Sequence, residues 1–183
     1  RPPPPAAAEA QAAGQPPPLQ LVRSRRVSHT AMAYFRRFYA FNLPEQWHPA
    51  HVTAACVFLA AKAEEEHIRE ADIMTAGYGA PDVDTLLSTE AALVTALDFC
   101  VHVHLAHRPL GALIERALRR VEEPTARRTL RESWTPPAEE AMDHVMASYL
   151  PLSHSPAVLA LAVALHTAPP AAPDLSAVVR EAL

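Results

Sequence analysis

The chain has 183 residues, half of hydrophobic type, enough for one substantial domain or two small ones and too apolar to be disordered along its whole length. A net charge of −4 argues against a dedicated nucleic-acid binder, which needs surplus lysine and arginine to neutralise phosphates. Cys56 and Cys100 each stand alone in an apolar segment; they form neither a disulfide framework nor a zinc knuckle and fit a reducing, intracellular setting.

Residues 1–20, rich in proline and alanine, are expected to be a flexible tail, with a ligand for a proline-binding module as the alternative. The lack of an initiator Met or signal peptide leads to the expectation of a piece of a longer chain. Only four glycines occur, and valine and isoleucine never alternate, so the pattern predicts an all-α fold. Prolines recur at helix-sized intervals. Because first turns accept proline and helix interiors reject it, their spacing predicts helices over 27–42, 49–66, 69–76, 81–97, 108–121, 125–133, 137–150, 156–167 and 174–182.

The first predicted helix carries Met32, Phe35, Phe38 and Tyr39 toward a core and Arg36 and Arg37 to one side. The second has no polar face over its middle turns, from Val52 through Cys56, Phe58 and Leu59 to Ala61, and must be surrounded. It ends abruptly in Lys62-Ala63-Glu64-Glu65-Glu66, which contains the only lysine of the chain. The longest apolar stretches, 52–61 and 157–165, fall well short of the roughly 20 residues that span a bilayer. A weak internal repeat is also present: Ala31-Met32 before Tyr39 recurs as Ala141-Met142 before Tyr149, and each is followed by a Pro-Ala helix start, at Pro49 and Pro156.

With these segments in place, the sequence resembles the cyclin family, in particular its transcription-linked branch of cyclins H, C, T, K and L. The resemblance runs through Thr30 to Tyr39, His48-Pro49, Cys56 to Glu65, Glu90 to Phe99 and His107-Arg108-Pro109-Leu110. It implies a cyclin fold of two tandem five-helix boxes, the first over 21–122 and the second, over 123–183, shortened or incomplete. It further implies a nuclear regulatory subunit without catalytic activity, a heterodimer with a cyclin-dependent protein kinase, and further subunits of a transcription complex.

In the family the first box grips the kinase helix that carries the catalytic glutamate. By motif position the gripping charges are Lys62 and Glu90, and Leu59, Ala63, Glu65, Val94, Leu97 and Phe99 complete the kinase interface. The chemistry suits the role: a lysine on a long stem donates to partner carbonyls, and a carboxylate accepts from partner N–H groups. The plain alternatives are a solvated charge at a helix end for Lys62 and a helix-surface acid for Glu90. Glu64, Glu65 and Glu66 read as a mostly solvated run in which Glu65 can pair with Arg37. Two departures stand out: Val22 to Ser28 replaces the substrate-docking stretch of cell-cycle cyclins, and the proline-rich start has no counterpart to the long helix that packs beside the box in many cyclins.

Other constellations are weaker. His102, His104 and His107 cannot be presented together by one helix, and no carboxylate or cysteine is expected to complete a shell nearby, so no metal is expected. No phosphate loop, nucleophile elbow or paired-carboxylate cleft is visible, and neither cofactor nor catalysis is expected. Arg116, Arg119, Arg120, Arg127, Arg128 and Arg131 form a basic face, read as solvated, with an anion or nucleic-acid contact as the alternative. The rival function is a TFIIB-like cyclin-fold general transcription factor that binds DNA and the TATA-binding protein. Such a factor should be basic and follow a cysteine-rich zinc ribbon.

Overall fold

A computed structural model describes residues 24–79, 82–175 and 177. The expected tail at 1–20, and most of the helix expected over 174–182, lie outside the described residues. All regular structure among the described residues is helical, and none of these helices is long and apolar enough to cross a membrane. Contacts divide the chain between His102 and Val103 into two compact units. The break precedes the expected box boundary at 122/123, so the helix anticipated over 108–121 belongs to the second unit.

The first unit holds α1 (Arg25–Tyr39), α2 (Pro49–Ala63), α3 (Glu70–Thr75) and α4 (Val83–Ala96). Proline opens α2 in its first turn, and His48 caps it by accepting the Ala50 N–H at 3.3 Å. From Ala54 to Ala61 every residue of α2 is buried, as its lack of a polar face requires. Alanines at 54, 55 and 60, fully covered, let α1 and α4 pack closely on either side. From α1 come Val27, Tyr34 and Phe38, and from α4 Leu86 and Leu93, all essentially without exposure. The α1–α2 connection is pinned by aromatics: Phe38 stands edge-on to Trp47 with ring centroids 5.6 Å apart, and the Tyr39 hydroxyl donates to the Trp47 carbonyl at 2.7 Å.

The second unit holds α5 (His107–Leu118), α6 (Pro124–Ala147), the single turn α7 (Leu150–Ser153) and α8 (Pro156–Thr167). Two helices separated at Pro136-Pro137 are expected, but α6 runs through the pair without interruption. Two features explain this. Buried residues recur every fourth position, at Leu130, Trp134, Ala138, Met142 and Met146, so one continuous stripe is held by tertiary packing on both sides of the prolines. Pro136 and Pro137 themselves lie on the exposed face with Glu132 and Ser133. The missing proline N–H groups therefore orphan carbonyls that water can reach, which lowers the usual cost of an interior proline. α8 is apolar all round, as its composition predicts, yet it buries only one face. Leu159, Ala160, Val163 and Ala164 are buried, while Val158 and Leu165 are each about half exposed.

Trp134, with no exposed surface, anchors the middle of the α6 stripe and donates from its indole N–H to Thr167 Oγ1 at 3.2 Å. Trp134→Ala should lower the unfolding free energy by about 3–5 kcal/mol, read as a shifted midpoint in urea denaturation. A loss below about 1 kcal/mol would show that the stripe does not hold the helix together.

Candidate functional site

Packing of α2 on α4 brings Lys62 and Glu90 together across 28 residues of sequence. The ammonium group donates to both carboxylate oxygens, at 2.8 and 2.9 Å. It also sits 3.9 Å above the centroid of the buried Phe58 ring, a favourable cation–π position. The Lys62 side chain is half exposed while that of Glu90 is only 13% exposed, so the lysine lies over a recessed carboxylate. Lysine carries three donors and the carboxylate occupies two, so one remains for a partner.

The remaining interface residues predicted from sequence separate into two groups. Leu59 and Leu97 are buried in the unit's own core and are not open to a partner. Ala63 and Glu65 are exposed, Val94 is half-buried, and Phe99 is 73% exposed. Sequence reasoning missed Val83 and Leu87, which are 40% and 41% exposed and align with Glu90 and Val94 along α4 at helical spacing. The signal was present: Leu86, Thr89 and Leu93 already fill the buried face, so Val83 and Leu87 form a second apolar stripe.

Both helices end in the same strained way. At α2 the Glu66 N–H reaches back to the Ala61 carbonyl at 2.8 Å and the Glu65 N–H to the Lys62 carbonyl at 3.2 Å. At α4 the Phe99 N–H reaches Val94 and the Asp98 N–H reaches Thr95, both at 3.0 Å. This closing pattern normally places glycine in the left-handed position, but here Glu65 stands at φ 59°, Asp98 at φ 50° and Phe99 at φ 59°. Each such residue costs on the order of 1 kcal/mol, and all three are exposed.

Within the acidic run, the inward acid is Glu64 rather than Glu65. Glu64 is only 10% exposed, lies 2.6 Å from the Arg26 guanidinium and accepts from the fully buried Thr30 hydroxyl at 2.8 Å. Arg37 instead reaches the Cys100 carbonyl at 3.4 Å. Nearby, the Tyr34 hydroxyl donates to the Val101 carbonyl, and burial, reinforced by the Glu64 charge, pushes its pKa up to about 12. Burial likewise raises the Cys56 thiol well above its ordinary range, which keeps it protonated and unreactive.

Elsewhere, His107 Nε2 lies 3.0 Å from Asp143 Oδ1 within the second unit, a carboxylate remote in sequence. The basic face is largely committed to its own unit: Arg131 clasps Glu115 at 2.7 and 2.9 Å, Arg128 meets Glu132 at 2.8 Å, and Arg127 donates to the Val121 carbonyl at 2.6 and 3.0 Å.

Residues 21–102 match the family model of the cyclin N-terminal domain. The chain is 31% identical to Cyclin-H of Xenopus laevis over 169 residues, covering 87% of this chain and 50% of that protein. It spans about half or less of the length of the relatives it matches. Among solved structures it resembles a chain of the CAK complex of Chaetomium thermophilum bound to ATP-gamma-S, with a TM-score of 0.71, 19% identity, and coverage of 87% of this chain and 49% of that one. It also resembles a chain of the yeast TFIIK complex, with a TM-score of 0.68, 18% identity, and coverage of 95% and 88%.

Tyr34 links α1 to the segment that follows α4, so its titration should report on this unit. The phenol ionises near pH 10 in an unfolded chain and near 12 in the folded one, so folding holds its proton more tightly. Its stabilising contribution is complete below pH 10 and is lost as the pH rises to about 12. Burial raises Tyr39 and Tyr78 as well, so tyrosinate difference absorbance should show a component near pH 12 that Tyr34→Phe removes, and stability measured across that window should fall more steeply in the parent than in the variant.

Proposed function

Since the chain belongs to the cyclin family, we propose that it binds a cyclin-dependent protein kinase through its first unit and favours the kinase's active arrangement. The observation that carries this reading is the Lys62–Glu90 pair, with Lys62 half open to solvent, accompanied by exposed Val83 and Leu87 in line with Glu90 on α4 and by exposed Phe99 just past its end. On this reading the kinase helix that bears the catalytic glutamate lies along α2 and α4. Lys62 donates to its backbone carbonyls, Glu90 accepts from its N–H groups, and the exposed apolar residues cover its hydrophobic side. Affinity for the helix-in state over the helix-out state shifts the population toward activity, and phosphoryl transfer stays with the kinase. Similarity to Cyclin-H and to chains of the CAK and TFIIK complexes supports a nuclear, transcription-linked role alongside further subunits. The paired arginines and net charge of −4 favour this over the DNA-binding alternative.

Exchanging the charges, Lys62→Glu with Glu90→Lys, retains an internal ion pair and reverses what the face offers. The double variant should keep its helical circular dichroism and lose stoichiometric co-purification with the kinase. Undiminished co-purification would remove the site assignment. Phe99→Gly tests the apolar edge separately, because glycine suits the left-handed backbone there. Its unfolding midpoint should hold or rise while kinase affinity, measured by titration calorimetry, drops about tenfold or more.

A further inference from the structure

Two sites in the chain place Ser or Thr directly before proline, Thr135-Pro136 and Ser155-Pro156, and the fold sets them in opposite situations. Thr135 is half-buried inside the continuous helix α6, next to the fully buried Trp134. Ser155 is exposed, with φ −68° and ψ 151°, the extended backbone that residues before proline favour. The segment leading to it is loosely held. Single-turn α7 buries no residue, Tyr149 is 81% exposed and Leu152 50%, and so short a helix with so little packing opens at low cost. A proline-directed kinase takes its acceptor in an extended stretch and makes no use of an N–H on the next residue. Of the two, Ser155 stands with extended backbone at the very start of α8, where only a first turn need open, whereas Thr135 lies in the middle of the 24-residue α6.

We propose that Ser155 is a phosphoacceptor for a proline-directed protein kinase, a reading that goes beyond kinase binding and does not depend on it. In the reaction, Ser155 Oγ bonds to the γ-phosphorus of magnesium ATP as the bond from that phosphorus to the β,γ-bridging oxygen breaks. ADP departs, and the hydroxyl proton passes to the kinase's base. The product gains a charge of about −1.5 to −2 at neutral pH. In the unmodified chain Ser155 Oγ accepts the Val158 N–H over 3.4 Å, and the longer phosphate can reach the Ala157 and Val158 N–H groups of that first turn more closely.

The test incubates the folded chain with a purified proline-directed kinase supplied separately and magnesium ATP, followed by peptide mass mapping. A synthetic peptide covering residues 149–160 serves as control. Expected are one phosphoryl group on Ser155, none on Thr135, and a rise of about 2–4 °C in unfolding midpoint on modification. Ser155→Asp, which keeps a capping oxygen and the fold, should accept no label. Labelling of Thr135 with Ser155 unmodified, labelling of the peptide but not the folded chain, or labelling of neither would each overturn the proposal. Loss of the kinase-binding reading would leave this outcome unchanged, because the modifying kinase is supplied in trans.

Discussion

The first unit depends on one constraint, that α2 has no polar side and must be covered on every turn. Burying one of its large side chains is worth about 1.5–3 kcal/mol, and Val52, Val57, Phe58 and Leu59 are all buried. An exposed ion pair such as Lys62–Glu90 is worth about 0–1 kcal/mol. Apolar packing therefore decides where α1 and α4 lie, and the ion pair is a consequence of that placement. Lys62 emerges at the rim because it is where α2 stops being apolar, and α4, pressed against the helix, brings Glu90 to meet it.

The same hierarchy explains the ends of the two helices. Glu65, Asp98 and Phe99 occupy backbone positions that glycine would fill at lower cost. Each such penalty is no larger than what burying one large α2 side chain contributes. Strain of this kind concentrates where side chains serve a purpose outside the fold, and these three stand just past the ends of the two helices that carry Lys62 and Glu90.

Much of this was legible from residue patterns. The burial of α2 followed from its composition, and the starts of α2 and α8 followed from Pro49 and Pro156, each behind a residue that caps. Lys62 and Glu90 came only through family resemblance; no local pattern says that residues 28 apart will meet. Three features lay beyond reach for physical reasons. Pro136-Pro137 signals a break locally, and only the tertiary setting shows that their orphaned carbonyls face water. Whether Glu64 or Glu65 turns inward depends on the left-handed step at Glu65, which its side chain does not announce. The open face of α8 is invisible to hydropathy, because exposure depends on what packs nearby rather than on what the helix contains.

Kinase binding through the Lys62–Glu90 face is proposed to favour one arrangement of the bound kinase. The most direct test titrates the purified chain into a panel of purified cyclin-dependent kinases and follows both peptide phosphorylation and hydrogen exchange in the kinase helix that carries the catalytic glutamate. For at least one kinase, activity should rise to saturation at one-to-one stoichiometry while that helix becomes protected in step. Unchanged activity and unchanged protection across the panel at saturating protein, together with tight binding to duplex DNA, would contradict it.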